Sequence, residues 1–207
     1  TFTVRETKLI PQTLNEAFNL ASTPRCGPVH LNFPRNILAN NYNFNKIAKH
    51  QKKVLSPVDN NDLLSILDII NKSKQPVIIA GGGVKNSLSH ENVIKLSKHL
   101  NIPIVTSAGH GDAIPFNENL YAGQMGPRGN PVASRLVKKA DCILALGTRL
   151  GFNSTFYSYD NINKEASIVQ IDIDQKSLGR YFPISIGICK DVNEVTKKLC
   201  IKAQEKN

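Results

Sequence analysis

Two apolar runs in the second half of the sequence constrain the fold more than any other feature. Residues 143–146 and 168–173 are mainly Ile, Leu, Val and Ala, and each run is followed at once by Gly or Asp. Short apolar runs of this kind predict strands covered on both faces, as in a parallel sheet with helices above and below. Ligands of such open sheets bind beyond the carboxyl ends of the strands. Gly147, Arg149 and Asp172 fall at these ends.

From residue 57 onward the sequence repeats the order strand, loop, helix. Asp59 is a suitable N-cap for a helix that runs to residue 71. Further strands are predicted at residues 76–80, 102–105 and 184–188, and further helices at 89–100, 131–139 and from Asp191 onward. This order predicts an α/β fold, a doubly wound, mostly parallel sheet of about five or six strands with helices on both faces.

A smaller set of elements precedes this domain. Residues 1–7 alternate like a strand, residues 11–21 have apolar positions at helical spacing, and residues 27–34 form a strand-like run between Gly and Pro. This set is too small for a domain, so we interpret residues 1–40 as the tail of another α/β domain. Residues 41–56 are rich in Asn, Lys and His and predict a linker, which leaves 57–203 as the main domain.

Composition narrows the class of protein. The 207 residues begin at Thr1 and contain one methionine, Met125, which predicts a piece of a longer protein. The net charge of +10 comes from scattered lysines, without an Arg-rich arm or an aromatic and basic ladder, so nucleic-acid binding is not expected. The four cysteines are widely spaced and lack zinc-site spacing. A cytoplasmic protein with reduced thiols is therefore expected. No apolar run approaches the roughly 20 residues of a membrane span.

Glycine-rich loops follow several predicted strands. The glycines at 81–83 allow either a tight turn with positive φ or the close approach of backbone N–H groups to an anion. A second loop contains His110 and Asp112, which could act as a catalytic pair, although loop geometry is the favoured interpretation because no nucleophile lies at a recognisable spacing. The loop of residues 123–129 has a composition typical of a lid over a ligand.

Arg149 and the acidic residues after the 168–173 run each have a binding and a structural interpretation. A guanidinium beyond a strand can hold a phosphate or carboxylate through two hydrogen bonds. Alternatively, Arg149 pairs with a loop carboxylate such as Asp160. Asp172 is placed to accept hydrogen bonds from a ribose, whereas Asp174 is suited to cap a helix that begins near Gln175.

Five segments occur in a characteristic order: GPVHLNFPRN at 27–36, GGG at 81–83, GQMGPRG at 123–129, ALGTRLG at 145–151 and QIDIDQ at 170–175. Together they resemble the thiamine-diphosphate-dependent enzymes related to acetolactate synthase, over nearly the whole chain. The resemblance implies that residues 1–40 are the end of a pyrimidine-binding domain. It implies that residues 57–203 are the central domain of a three-domain subunit.

The same resemblance implies that catalysis occurs outside these residues. The glutamate that activates the aminopyrimidine would lie before Thr1, and the segment that holds Mg²⁺ and the diphosphate would lie after Asn207. Thiamine diphosphate and Mg²⁺ would thus belong to the full-length enzyme, and this chain would have no catalytic residue. In the family, the central domain binds FAD or ADP, or its site is empty. The matching cofactor-binding positions are Gly81, Gly83, Thr106, Met125, Gly147, Arg149, Asp172 and Asp191.

Two segments bear on substrate and cofactor. GTRLG at 147–151 and SIGICKD at 185–191 are more similar to the sulfoacetaldehyde acetyltransferase branch, which implies formation of acetyl phosphate and sulfite from sulfoacetaldehyde and phosphate. Acetolactate synthase, which joins two pyruvates, is the second hypothesis. Flavin-binding acetolactate synthases usually have PheAspAspArg after the strand-end arginine, whereas residues 150–153 here are LGFN. This difference argues against FAD. The family also implies a homodimer or homotetramer.

Two hypotheses belong to other classes. One is a stand-alone nucleotide-binding domain, which the fold class allows but which the missing GxGxxG motif and the truncated leading unit disfavour. The other is a purely structural domain that packs against its neighbours and binds no ligand. It predicts no nucleotide affinity and an exposed apolar patch.

Overall fold

The computed structural model describes residues 1–23, 25–44 and 56–205. The chain divides into two compact units, Thr1–Leu55 and Ser56–Asn207. Most of the predicted linker, residues 41–56, lies outside the described residues.

The first unit contains one parallel strand pair. Strand β1 (Phe2–Thr3) pairs with β2 (Leu31–Asn32), and Phe2 lies opposite Leu31. Between them lie a 3₁₀ turn (Thr7–Leu9) and helix α1 (Ile10–Ser22), and a short helix α2 (Arg35–Leu38) follows β2. The predicted order strand, helix, strand is confirmed. The strands are shorter than predicted. Around β2, Pro28 and Pro34 have no N–H to donate to a ladder.

The second unit is built on a six-stranded sheet in which every neighbouring pair is parallel. Its strands are β3 (Pro76–Ala80), β4 (Ile104–Thr106), β5 (Tyr121–Gln124), β6 (Cys142–Leu146), β7 (Ser167–Asp172) and β8 (Ile186–Cys189). The order across the sheet is β5-β4-β3-β6-β7-β8. The predicted doubly wound sheet is confirmed. Strand β5 was not predicted, because all four of its residues are only partly buried at the sheet edge.

Local signals set the ends of several helices in the second unit. The Asp59 carboxylate accepts a hydrogen bond from the Asn61 N–H at 2.8 Å, which confirms the predicted N-cap. The helices are α3 (Asn60–Lys72), α4 (Gly82–Asn86), α5 (His90–Leu100), α6 (Pro131–Lys139), α7 (Phe152–Thr155) and α8 (Val192–Glu205). Short 3₁₀ turns occur at Gly111–Ala113 and Gln175–Ser177. Across the described ranges, no helix has both the length and the apolar character to cross a membrane.

Two apolar clusters cover opposite faces of this sheet. Ile78 and Ala80 belong to the cluster that includes residues of α3, α5 and α8. Val77 and Ile79 belong to the cluster that includes residues of α6. Alternate residues of one strand therefore enter different cores, which explains why the inner strands have almost continuous apolar sequences.

Candidate ligand site at the carboxyl edge of the sheet

The order of the strands reverses within this sheet. From β3 the chain proceeds outward through β4 to β5, whereas β6, β7 and β8 proceed outward on the other side of β3. The order of strands therefore reverses between β3 and β6. In open parallel sheets ligands bind at such a reversal point, outside the carboxyl ends of the strands. The loops that begin at Gly81 and Gly147 meet there.

These two loops contact each other through backbone atoms. The Gly81 N–H donates to the Leu146 carbonyl, and the Gly83 N–H donates to the Gly147 carbonyl, both at 2.9 Å. A Cβ added to Gly81 would lie 2.5 Å from the Gly147 oxygen, and one added to Gly83 would lie 2.5 Å from the Gly147 Cα. Positive φ occurs at Gly147 (+57°) and at none of residues 81–83. The positive-φ explanation for Gly81 and Gly83 is thus wrong, because the backbone of the neighbouring loop requires the glycines.

Thr106 and Met125 lie inside the protein. Thr106 is fully buried, its hydroxyl is 2.9 Å from the Tyr121 hydroxyl, and its carbonyl accepts the Met125 N–H at 2.9 Å. The Met125 side chain is buried in the cluster against α6. The interpretation of residues 123–129 as a lid is therefore wrong for Met125, and Gly123 and Gln124 belong to strand β5.

Arg149 is the predicted site residue whose side chain is most available to a ligand. Its guanidinium is exposed, and it forms no ion pair or hydrogen bond with any residue that the structure describes. The alternative partner, Asp160, instead accepts a hydrogen bond from the Ser158 hydroxyl at 2.9 Å. The ion-pair interpretation of Arg149 is wrong, and the anion-binding interpretation stays a prediction.

The two predicted site aspartates both accept backbone hydrogen bonds. Asp172 is buried at the end of β7, and its carboxylate accepts the Asp174 N–H at 2.9 Å. Asp174 accepts the Lys176 N–H at 3.0 Å and so caps the short 3₁₀ turn, as predicted. Asp191 accepts the N–H groups of Asn193 and Glu194 at 2.8 and 3.3 Å, which places it at the start of α8. A ligand would therefore have to share these carboxylates with the backbone.

His110 and Asp112, in the loop after β4, do not form a catalytic pair. Asp112 forms an ion pair with Lys85, and this hydrogen bond holds the pKa of Asp112 below its ordinary value. The His110 imidazole lies over Gly82, where an added Cβ would be 2.7 Å from the His110 Cε1. A groove of about 400 Å³ lies beside the Lys85–Asp112 pair and is also lined by Leu88, His90 and Phe116. None of the eight predicted site residues lines this groove.

Sequence analysis missed four residues that the structure brings together near Arg149. They are Tyr157, Gln170, Arg180 and Tyr181. The Tyr157 and Tyr181 rings lie 4.4 Å apart between centroids, and the Arg180 guanidinium lies 5.2 Å from the Tyr181 ring. The concentration of aromatic residues between 152 and 159 was the available signal. In a polar loop, large aromatic side chains indicate a contact surface.

Within the described ranges, no group of three or more His, Cys, Asp or Glu side chains is arranged to hold a metal ion. The carboxyl edge of the sheet thus offers exposed guanidinium and aromatic groups but no acidic cluster. Such an edge can bind an anion through arginine.

Comparison with known proteins identifies the family. Residues 63–199 match the family model described as "Thiamine pyrophosphate enzyme, central domain". The chain belongs to the thiamine pyrophosphate enzymes. The family resemblance inferred from the five sequence segments is therefore confirmed.

The curated relatives of this chain are named as two kinds of enzyme, sulfoacetaldehyde acetyltransferase and acetolactate synthase. A "Probable sulfoacetaldehyde acetyltransferase" of Rhizobium meliloti (strain 1021) is 30% identical over 200 residues, which cover 95% of this chain and 33% of the relative. The sulfoacetaldehyde acetyltransferase of Castellaniella defragrans is 36% identical over 172 residues, with coverages of 80% and 28%. An acetolactate synthase large subunit of Buchnera aphidicola subsp. Schlechtendalia chinensis is 32% identical over 216 residues, with coverages of 97% and 36%.

These comparisons show the family but do not distinguish between the two substrates. The identities to the two kinds of enzyme are similar, and the chain spans about a third of the length of the relatives. A solved structure of a candidate thiamin diphosphate-dependent enzyme from Mycobacterium smegmatis has the same fold, with a TM-score of 0.76 and 19% identity. The match covers 97% of this chain and 38% of that one.

Proposed function

We propose that this chain is part of a thiamine-diphosphate-dependent sulfoacetaldehyde acetyltransferase, an enzyme that converts sulfoacetaldehyde and phosphate to acetyl phosphate and sulfite. Residues 1–40 would be the end of its pyrimidine-binding domain, and residues 57–203 its central domain. The similarity of residues 147–151 and 185–191 to this branch carries the substrate assignment. A 36% identical relative with that name supports it.

We assign no residue of this chain to thiamine diphosphate or Mg²⁺. The family resemblance implies that the cofactor would be held by other parts of the enzyme. When bound, thiamine diphosphate supplies the carbon nucleophile that adds to a carbonyl. The central domain would contribute by packing against the domains that hold the cofactor, in a cytoplasmic homodimer or homotetramer without nucleic-acid or membrane partners.

For the central domain itself we propose a nucleotide site at the carboxyl edge of the sheet, with ADP favoured over FAD because residues 150–153 lack the flavin-type sequence. Arg149, which is exposed and forms no ion pair with any described residue, supports this site, since it would bind a phosphate. Gly81, Gly83 and Gly147 would shape the site through the backbone, as would the buried Thr106 and Met125. Asp172 and Asp191 would accept hydrogen bonds from the nucleoside.

The experiment is an assay of the complete protein that contains this sequence. Its visible absorbance is recorded first, and acetyl phosphate and sulfite are then measured with sulfoacetaldehyde and phosphate, with and without thiamine diphosphate and Mg²⁺. Both products, formed only with the cofactor present and without flavin absorbance bands, are expected. Acetyl phosphate formation that does not depend on thiamine diphosphate would refute the proposal.

Acetolactate synthase is the second candidate, favoured by the 32% identical relative that covers 97% of this chain. Pyruvate alone, assayed in parallel, separates the two: acetolactate together with flavin absorbance would support the synthase. A stand-alone nucleotide-binding domain would bind ADP and form neither product. A purely structural domain would not bind ADP and would form neither product.

A further inference from the structure

Two exposed arginines lie on neighbouring loops beyond β6 and β7. Arg149 is on the loop after β6, and Arg180 is on the loop after β7. Neither guanidinium forms an ion pair with a carboxylate among the described residues. Arg180 instead lies against the Tyr181 ring. Two unpaired guanidinium groups in the same region favour a ligand with negative charge.

One buried side chain holds the two loops together. Gln170, in β7, is 2% exposed. Its Nε2 donates to the carbonyls of Thr148 and Ser177, at 2.9 and 3.1 Å, and its Oε1 accepts the Gly179 N–H at 2.8 Å. Both hydrogens of the amide are therefore used. One nitrogen atom donates to a carbonyl of each loop, so the loop that contains Arg149 and the loop that contains Arg180 are joined through the Gln170 amide.

A tyrosine pair connects the same loops at the surface. The Tyr157 and Tyr181 rings are 4.4 Å apart at an angle of 31°. A hydrogen bond from Tyr157 lowers the pKa of Tyr181, and the charges of Arg180 and Arg149 lower it further, while burial opposes these effects. The charges of Arg149 and Arg180 thus both favour the ionised form of the Tyr181 hydroxyl.

The segment that carries Tyr157 has a constrained backbone. Leu150, Phe156 and Tyr157 have φ of +52°, +50° and +56°. The left-handed conformation costs residues with a Cβ about 1–2 kcal/mol each. Such conformations persist only where the surrounding structure imposes them, and they are concentrated at functional sites.

We propose that Arg149 and Arg180 form a two-arginine clamp for a phosphoryl group, and that Gln170 positions both loops. Guanidinium groups bind phosphoryl oxygens through paired, charge-assisted hydrogen bonds, so two of them suit a group with more than one negative charge. The phosphoryl group would belong to a nucleoside diphosphate or to free phosphate. If the phosphoryl group belongs to a nucleoside diphosphate, the inference rests on the proposed nucleotide site, which includes Arg149. Arg180 and Gln170 are additions to it.

The test is calorimetric titration of the chain with ADP and, separately, with inorganic phosphate. Arg149→Ala and Arg180→Ala are each expected to weaken ADP binding more than tenfold. The matched control is Arg135→Ala, which removes the same charge from an exposed position on α6 and is expected to change affinity less than twofold. If Arg180→Ala binds both ligands like the unaltered chain, the clamp is refuted, whereas the nucleotide site with Arg149 survives.

The source of the phosphoryl group follows from the two titrations. Phosphate binding that needs both arginines, with ADP no tighter than phosphate, would support the clamp for free phosphate and refute the nucleotide site. Failure of the unaltered chain to bind either ligand would refute both. The assay with thiamine diphosphate is independent of these results.

The positioning role of Gln170 needs a measurement other than affinity. Gln170→Met keeps a similar volume but removes the three hydrogen bonds. We expect it to weaken ADP binding at least fivefold and to raise the lowest tyrosine pKa in an ultraviolet absorbance titration, as Arg180→Ala should also do. A variant that is merely less stable, with unchanged tyrosine titration and unchanged affinity, would refute positioning by Gln170.

Discussion

Replacement of Gly147 by alanine tests the backbone contact between the loops after β3 and β6. Gly147 has φ of +57°, and an added Cβ would lie 2.4 Å from the Gly83 Cα. The left-handed conformation costs a residue with a Cβ about 1–2 kcal/mol, and overpacking adds about 1–3 kcal/mol. We therefore expect Gly147→Ala to lower the free energy of unfolding by about 2–5 kcal/mol. For a domain of this size, Tm should fall by roughly 4–20 °C.

The assay is urea unfolding at 25 °C followed by circular dichroism, with a thermal scan of the same samples. Gly151→Ala is the matched control, because Gly151 lies in the same loop with φ of −76° and no atom within 4 Å of an added Cβ. Its effect should stay within about 0.5 kcal/mol. If both variants have equal stability, the close contact is not the reason for the glycine at 147.

Two further predictions concern titratable groups. Burial raises the pKa of the Cys142 thiol to about 11, so at pH 8 iodoacetamide should alkylate Cys142 more than tenfold slower than the exposed Cys26; equal rates by peptide mass spectrometry would contradict this. Although burial opposes the shift, hydrogen bonds from the Lys74 and Gln75 N–H groups lower the pKa of Asp141 below its ordinary 3.8. The ionised carboxylate therefore stabilises the folded state fully above pH 3.8. This contribution is lost as the pH falls through the lowered pKa. Asp141→Asn should cost about 1–3 kcal/mol at pH 7 and progressively less as the pH is lowered below 3.8. A change in the urea midpoint that does not shrink as the pH falls would refute this role.

Local patterns predicted those elements whose signals lie within the element itself. Strand β3 and helix α6 have the predicted bounds, because an apolar run between breakers and a proline in a first helical turn are local features. Strand β5 was missed because it pairs with β4 alone and is only partly buried. Its sequence, YAGQ, has no apolar run to mark it.

The candidate site was less predictable than the fold. Arg149 and Asp172 were recognised because they directly follow or end apolar strands. Gln170 lies inside the strand, where nothing in its local sequence shows which carbonyls it reaches. Arg180 and Tyr157 meet at Tyr181 only because β6 and β7 are neighbours in the sheet.

The sequence by itself determined the class of fold, the family and the strand ends at which a ligand would lie, because apolar periodicity, helix caps and ordered motifs act over a few residues. The tertiary structure decided why Gly81 and Gly83 are glycines, that Met125 is a core residue and that Gln170 joins two loops. Each of these depends on distances between segments far apart in the chain. Such distances are set by the packing of the whole sheet.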